Sequence, residues 1–280
     1  LLSVMSDPLH NQWIEDMVVV PSMGIIFTHC SESIKYWPLQ DIRHNMKNLE
    51  NKSMHLFKED GCTVPKVCLR DVLKKKGDDD PAGSNINKIT KLEFYEPRNL
   101  LIVAFRDTSL LFIKVLLGTR RTSKFRRRHQ LIFKTIKIMR TAEELGYANI
   151  KLCGKLLLLG ELVESFKVLD MRNGKQILAP AKDTHMEDWV QGMAAGMNNR
   201  YLAFSTIYGT LAIYKTDDPT ALDLTNAYQR VFYDLKFMEY KNGKGGIHCI
   251  ASTNERTDKL LFIGGRREDR FAHVTIVVFN

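Results

Sequence analysis

The chain has 280 residues; 44% of them are hydrophobic, enough for a substantial core, and 26% are charged, which is ordinary for a solvated surface. No apolar run approaches the roughly 20 residues that a membrane-spanning helix requires, and the first residues lack the basic leader and apolar stretch of a signal peptide. The 5 cysteines are irregularly spaced, which argues against a disulfide framework and favours a reducing intracellular compartment.

The first predicted group of strands covers residues 12–39. Apolar residues fill 17–20 and 25–27, and a third strand at 33–37 ends on a tryptophan. Residues 40–88 then interrupt the pattern. They are rich in polar and charged residues and contain Pro and Gly, so we predict an insertion or loop there.

Hairpin groups follow one another through the rest of the chain. Each contains short apolar strands separated by polar gaps, as at 100–104 and 201–204. The approximate bounds of these groups are 89–138, 148–178, 189–214 and 230–280. About five groups with one internal order predict an all-β protein made of antiparallel hairpins, for which propellers, sandwiches and barrels are the alternatives.

Residues 119–129 form a basic segment that no neighbouring acidic residue offsets. The candidate polyanion-binding residues in it are Arg120, Arg121, Lys124, Arg126, Arg127 and Arg128. The segment lies between apolar runs at 115–117 and 131–133, so we predict a loop that joins two neighbouring strands. Because arginine donates paired hydrogen bonds to phosphate and carboxylate groups, the segment indicates contact with nucleic acid, an acidic or phosphorylated protein, or a lipid headgroup. A solvated loop is the alternative.

The hairpin at 165–177 carries the clearest motif in the chain. Phe166 and Val168 alternate with Lys167, as in a half-buried strand. Asn173-Gly174 then predicts a tight turn, because both residue types tolerate positive φ, and a second strand begins at 175.

This strand, turn and strand resemble the end of one repeat in the WD-repeat β-propellers, with Leu169-Asp170 standing where that family has Trp-Asp. The resemblance implies a single β-propeller domain over 1–280, built of four-stranded antiparallel blades at the five bounds given above. Propellers of this family usually close with seven blades. We therefore expect missing sequence, with a small ring or an open solenoid as alternatives.

The resemblance also implies a non-catalytic scaffold subunit that mediates protein–protein interactions in a larger intracellular assembly. The net charge of +9 favours a nuclear, nucleic-acid-associated assembly. Alternatives are a phosphopeptide-reading substrate receptor of the ubiquitin-ligase type, a hydrolase propeller, and a phosphoinositide-binding propeller, whose Phe-Arg-Arg-Gly motif resembles residues 125–128. A membrane partner is not expected.

The remaining candidate residues are two tryptophans, and no catalytic chemistry is expected. Trp13 and Trp189 precede inner strands, where each is a candidate interface residue or a blade-edge packing residue. No nucleophile elbow or zinc-protease motif occurs, and Cys62 and Cys68 are too widely spaced for a structural zinc site. We therefore expect no catalytic residue, no cofactor and no metal.

Overall fold

The chain forms short antiparallel strands over the residues that can be described. The structure is a computed structural model that describes residues 13–30, 33–38, 88–106, 109–123, 126–140, 147–161, 166–178, 190–206, 211–233, 239–240, 243–244, 246–252, 259–265 and 272–278. Within these ranges there are strands and single 3-10 turns but no α-helix, and hence no helix long and apolar enough to cross a membrane. The chain divides into two compact units, Leu1–Glu144 and Leu145–Asn280.

The N-terminal unit contains a three-stranded and a four-stranded antiparallel sheet, each with its strands in chain order. The first sheet consists of β1 (Asp16–Val20), β2 (Ile25–Cys30) and β3 (Ser33–Pro38). The second consists of β4 (Ile89–Tyr95), β5 (Leu100–Phe105), β6 (Ser109–Ser123) and β7 (Arg126–Arg140). The predicted insertion at 40–88 lies outside the described residues, apart from Lys88.

Aromatic rings hold the core of the N-terminal unit together. Phe27 of β2 is fully buried; its ring centroid lies 5.9 Å from that of Phe94 in β4 and 6.4 Å from that of Phe133 in β7. Large rings at this spacing bury much apolar area and prefer offset or edge contacts. Trp37 in β3 is also buried, and its indole Nε1–H donates to Thr28 Oγ1 at 2.9 Å, so its one polar atom is satisfied.

The C-terminal unit contains two four-stranded antiparallel sheets and smaller ones after them. The first sheet consists of β8 (Tyr147–Cys153), β9 (Leu156–Glu161), β10 (Phe166–Asp170) and β11 (Lys175–Leu178). The second consists of β12 (Val190–Gly196), β13 (Tyr201–Thr206), β14 (Leu211–Lys215) and β15 (Gln229–Tyr233). The pair β16 (Glu239–Tyr240) and β17 (Gly243–Lys244) precedes the three-stranded sheet of β18 (Gly246–Ser252), β19 (Lys259–Gly265) and β20 (Ala272–Val278).

One boundary predicted from sequence is wrong. Residues 230–233 were assigned to the last hairpin group, but β15 pairs with β14, with Ile213 opposite Phe232 and Ala212 opposite Tyr233. The polar crossing that precedes β15 therefore lies inside one sheet rather than between two. It is a long connection between adjacent strands, which the sequence pattern does not distinguish from a link between sheets.

The predicted turn between β10 and β11 is present, and its two central residues have different roles. Gly174 has φ +74°, the left-handed conformation that glycine adopts without strain, and its N–H donates to Asp170 O at 2.7 Å. Asn173 does not adopt a positive φ. Its side-chain Oδ1 instead accepts from the N–H of Lys175 at 2.8 Å, so the asparagine stabilises the turn through its side chain.

Close approach between sheets of the C-terminal unit requires a glycine in β9. A Cβ at Gly160 would lie 2.4 Å from the carbonyl oxygen of Val190 in β12, a backbone atom that cannot rotate away. Nearby, the rings of Phe166 and Phe204 stack with centroids 4.0 Å apart. Gly160 thus lets the β9 and β12 backbones approach while the aromatic side chains fill the space beside them.

Candidate interaction site

β6 and β7 are much longer than the strands beside them. β5 pairs with β6 from Leu110 to Lys114, and the N–H of Val115 still donates to Asn99 O at 2.9 Å. The β6–β7 pairing continues to Ser123 opposite Arg126. Residues 116–123 and 126–132 therefore extend past β5 as a two-stranded ribbon, which we call the arm; at 3.3 Å per residue it is roughly 26 Å long.

The arm carries the basic residues singled out from sequence, but not in the predicted loop. Arg120 and Arg121 lie in β6, and Arg126, Arg127 and Arg128 lie in β7. The register places Arg120 opposite Arg128 and Arg121 opposite Arg127. Lys124 lies outside the described residues. The loop prediction is wrong because ladder hydrogen bonds established between the apolar parts of β6 and β7 continue into the polar residues that follow.

All of the net positive charge of the protein comes from the β6–β7 hairpin. Residues 109–140 contain 10 Lys and Arg residues and no Asp or Glu. The rest of the chain therefore contains 31 basic and 32 acidic residues, which nearly cancel in net charge. Lys134 and Lys137 of β7 are exposed. Like charges at directly opposed strand positions destabilise a ladder. Because the hairpin has no acidic residue to neutralise its positive charge, it attracts anions strongly.

The end of the arm nearest the sheet is apolar. Leu116 lies opposite Ile132, and Leu117 lies opposite Leu131. Leu116 is 40% exposed, Leu117 61% and Ile132 51%, whereas Leu131 belongs to the core of the N-terminal unit. Sequence reasoning assigned these residues to two neighbouring strands and did not predict their exposure, because alternation cannot show where a hairpin extends beyond its sheet.

The two tryptophan candidates are placed differently. Trp13 precedes β1 and is 92% exposed, and the exposed Met17 and Val19 of β1 follow it. Trp13 therefore does not act as a blade-edge packing residue here, and the interface interpretation stays a prediction. Trp189 lies outside the described residues.

A second polar feature, in the C-terminal unit, was not recognised as a charged pair from sequence. Asp170 is fully buried, and its carboxylate accepts from Arg172 Nε at 3.0 and 2.9 Å and from Nη2 at 2.6 Å. Burial alone raises the pKa of Asp170, but the hydrogen bonds and charge of Arg172 outweigh it and lower the pKa below its usual value. The sequence signal was the Asp170 position itself, equivalent to the Asp of Trp-Asp.

This pair anchors the connection between β14 and β15. Arg172 Nη2 donates to Ala221 O at 2.9 Å, and Lys155 Nζ donates to Pro219 O. Tyr228 closes the other end of the connection, because its hydroxyl donates to Asn199 O, and burial raises the pKa of that phenol. We call Asp170, Arg172, Lys155 and the connection at 216–228 the Asp170 corner; its charges serve internal structure.

The described residues offer little for catalysis or metal binding. No group of three His, Cys, Asp or Glu side chains comes together among them. His29 in β2 is fully buried, its Nδ1 lies 3.2 Å from Cys30 O, and its Nε2 has no partner. Burial lowers its pKa, which keeps the ring neutral. Asp16 of β1 is the cross-strand partner of His29, and its charge raises the pKa of His29 by less than burial lowers it.

Comparison with known proteins informs the fold only. No protein-family model matches the sequence, and no curated protein matches it. Among solved structures, the crystal structure of Chaetomium thermophilum Raptor is similar, with a TM-score of 0.57 and 11% identity over 94% of this chain and 19% of the Raptor chain. Together with the four-stranded antiparallel sheets, this confirms the predicted fold class, an all-β β-propeller of four-stranded blades.

Proposed function

We propose that this chain is a degenerate WD-repeat-type propeller that serves as a non-catalytic scaffold in a larger intracellular, nuclear assembly, and that its arm binds an acidic partner. One observation carries the proposal: a hairpin with 10 basic and no acidic residues extends past its own sheet as the arm. A charged ribbon that continues a sheet is suited to recognition, because strand pairing sets the register of its basic positions.

The register supports an acidic partner over a purely solvated surface. The register pairs arginine with arginine, Arg120 with Arg128 and Arg121 with Arg127, and like charges at directly opposed positions disfavour a ladder. An anionic partner would offset that cost, and arginine suits such a partner because its guanidinium donates paired hydrogen bonds to carboxylate and phosphate. The field of the hairpin would also increase the association rate, and this effect weakens as salt rises.

The rival functions need a different arrangement. A phosphopeptide receptor of the ubiquitin-ligase type would use arginines from several blades, whereas the basic cluster described here comes from one hairpin. A phosphoinositide-binding propeller would use Arg126 and Arg127 as headgroup contacts. The scaffold is favoured over the receptor because it requires only the hairpin, and binding to lipid vesicles separates it from the phosphoinositide-binding propeller.

Charge reversal tests the proposal directly. The variant Arg126→Glu, Arg127→Glu, Arg128→Glu should lose at least tenfold in affinity for the acidic probe polyglutamate. The matched control variant Arg106→Glu, Lys151→Glu, Arg230→Glu changes the net charge equally at exposed positions outside the hairpin and should retain most of the affinity. Equal losses in the two variants would mean that net charge alone, and not the arm, drives binding.

Affinity purification from native cells, with and without nuclease, then tests the scaffold itself. A protein set that survives nuclease and is lost in the triple arm variant supports a protein partner bound through the arm. A set that disappears with nuclease makes the arm a nucleic-acid contact. Recovery of the chain alone contradicts the scaffold function.

A further inference from the structure

The arm has two chemically different parts in a fixed order. Its near end, beside the sheet, carries the exposed Leu116 and Ile132, which lie opposite each other and so share one face of the ribbon. Its far end carries the opposed arginine positions, from Arg120 opposite Arg128 onward. Exposed apolar side chains clustered beside charged ones are typical of interaction surfaces.

This order of apolar and basic parts argues against nucleic acid or a membrane as the main binding partner of the arm. A nucleic-acid backbone would engage the far end and leave Leu116 and Ile132 in water, because phosphates and sugars offer little to an aliphatic side chain. A bilayer would have to accept the arginine-bearing far end ahead of the leucines, which places charge deepest in the hydrocarbon. A protein segment with both acidic and apolar side chains complements both parts at once.

We infer that the arm docks a protein segment that carries apolar anchors at one end and an acidic cluster at the other. The inference rests on the proposed function, since it specifies the chemistry of the acidic partner. The register fixes the spacing: the exposed pair of Leu116 and Ile132 lies four residues from the pair of Arg120 and Arg128, at positions on the same face of the ribbon, which is roughly 13 Å along a strand. A partner in extended conformation spans this with about four residues, and a helical one with about nine.

The test uses three synthetic peptides of equal length. The block peptide has three leucines, a four-residue Gly-Ser spacer and three glutamates; the acidic peptide replaces leucine by serine, and the apolar peptide replaces glutamate by glutamine. We expect the block peptide to bind the full chain at least tenfold more tightly than either of the others, as measured by fluorescence anisotropy.

Two variants identify the surface that gives this advantage. Leu116→Thr with Ile132→Thr changes the two opposed, exposed apolar residues, keeps residue types that favour strands, and should reduce block-peptide affinity to that of the acidic peptide, without changing acidic-peptide affinity. The control Leu222→Thr with Val231→Thr alters two apolar residues of the C-terminal unit that are 91% and 51% exposed and should change neither affinity.

Three results would overturn the inference. Equal binding of block and acidic peptides means that the apolar end is not used, although the proposed acidic contact stands. Absence of binding by any acidic peptide removes the proposed contact and the inference together. Binding to phosphatidylcholine–phosphatidylserine vesicles that depends on Leu116 and Ile132, without a block-peptide advantage, makes the surface a membrane contact.

Discussion

The arm and the Asp170 corner both contain charged residues, but the corner pairs opposite charges, whereas the hairpin of the arm concentrates a single sign of charge. At the corner, one buried carboxylate receives three hydrogen bonds from one guanidinium, which also bonds the connection at Ala221. In the β6–β7 hairpin, 10 basic residues have no acidic residue within 109–140. The difference teaches that charge alone does not mark a binding site: a buried, fully paired charge orders the chain, and a hairpin of one charge sign is available to a partner.

The largest effect should come from breaking the corner. Arg172→Ala leaves the buried Asp170 carboxylate without its main donor, and removing one partner of a buried pair destabilises by about 3–5 kcal/mol. Urea unfolding followed by circular dichroism measures the free energy of unfolding. The control Lys175→Ala removes an exposed ion pair to Asp223 with an Nζ–Oδ2 distance of 3.9 Å and should leave stability nearly unchanged. Similar losses in the two variants would show that the corner is not a structural anchor.

The pH dependence of the same pair sharpens the comparison. The pKa of Asp170 is lowered in the folded state, so its stabilisation is present above the unfolded pKa of about 3.9 and is lost as pH falls through the folded value. In Arg172→Ala, burial without the guanidinium should raise the pKa of Asp170 instead, and protonation then favours the folded state. The difference in unfolding free energy between wild type and variant should therefore begin to shrink above about pH 4, as Asp170 of the variant protonates, and shrink further below about pH 4, as wild type loses its stabilisation. A difference independent of pH would contradict this charge-based explanation.

The smallest effect concerns the stability of the arm. Arg127→Glu with Arg128→Glu converts the opposed Arg121–Arg127 and Arg120–Arg128 positions into opposite-charge pairs, worth about 0.2–1 kcal/mol each. The variant should be slightly more stable than wild type at low salt, and the gain should fade as salt screens it. Thermal unfolding at two salt concentrations measures both. A loss of stability would mean that the arginines already have internal partners.

Much of the fold follows from patterns that are local in sequence. The alternation around Phe166 and Val168 and the turn at Asn173-Gly174 predicted a hairpin that the structure contains, because side-chain period and turn chemistry act within a few residues. The basic residues of the arm were identified in the same way, since charge is read directly from composition. The prediction that they form a loop was wrong, because the pairing of β6 with β7 continues from the neighbouring apolar residues into the basic ones.

What the sequence by itself determined is an all-β chain of antiparallel hairpins with one strongly basic segment. Only the tertiary structure decided that β6 and β7 extend beyond the end of β5 and that Leu117 and Ile132 are exposed. It also decided that Arg172 links Asp170 to Ala221, which lies 49 residues after Arg172 in the chain. The physical reason is the distance along the chain over which each effect acts. Strand propensity and turn preference are set by neighbours along the chain, whereas exposure and ion pairing depend on which distant segments come together in space.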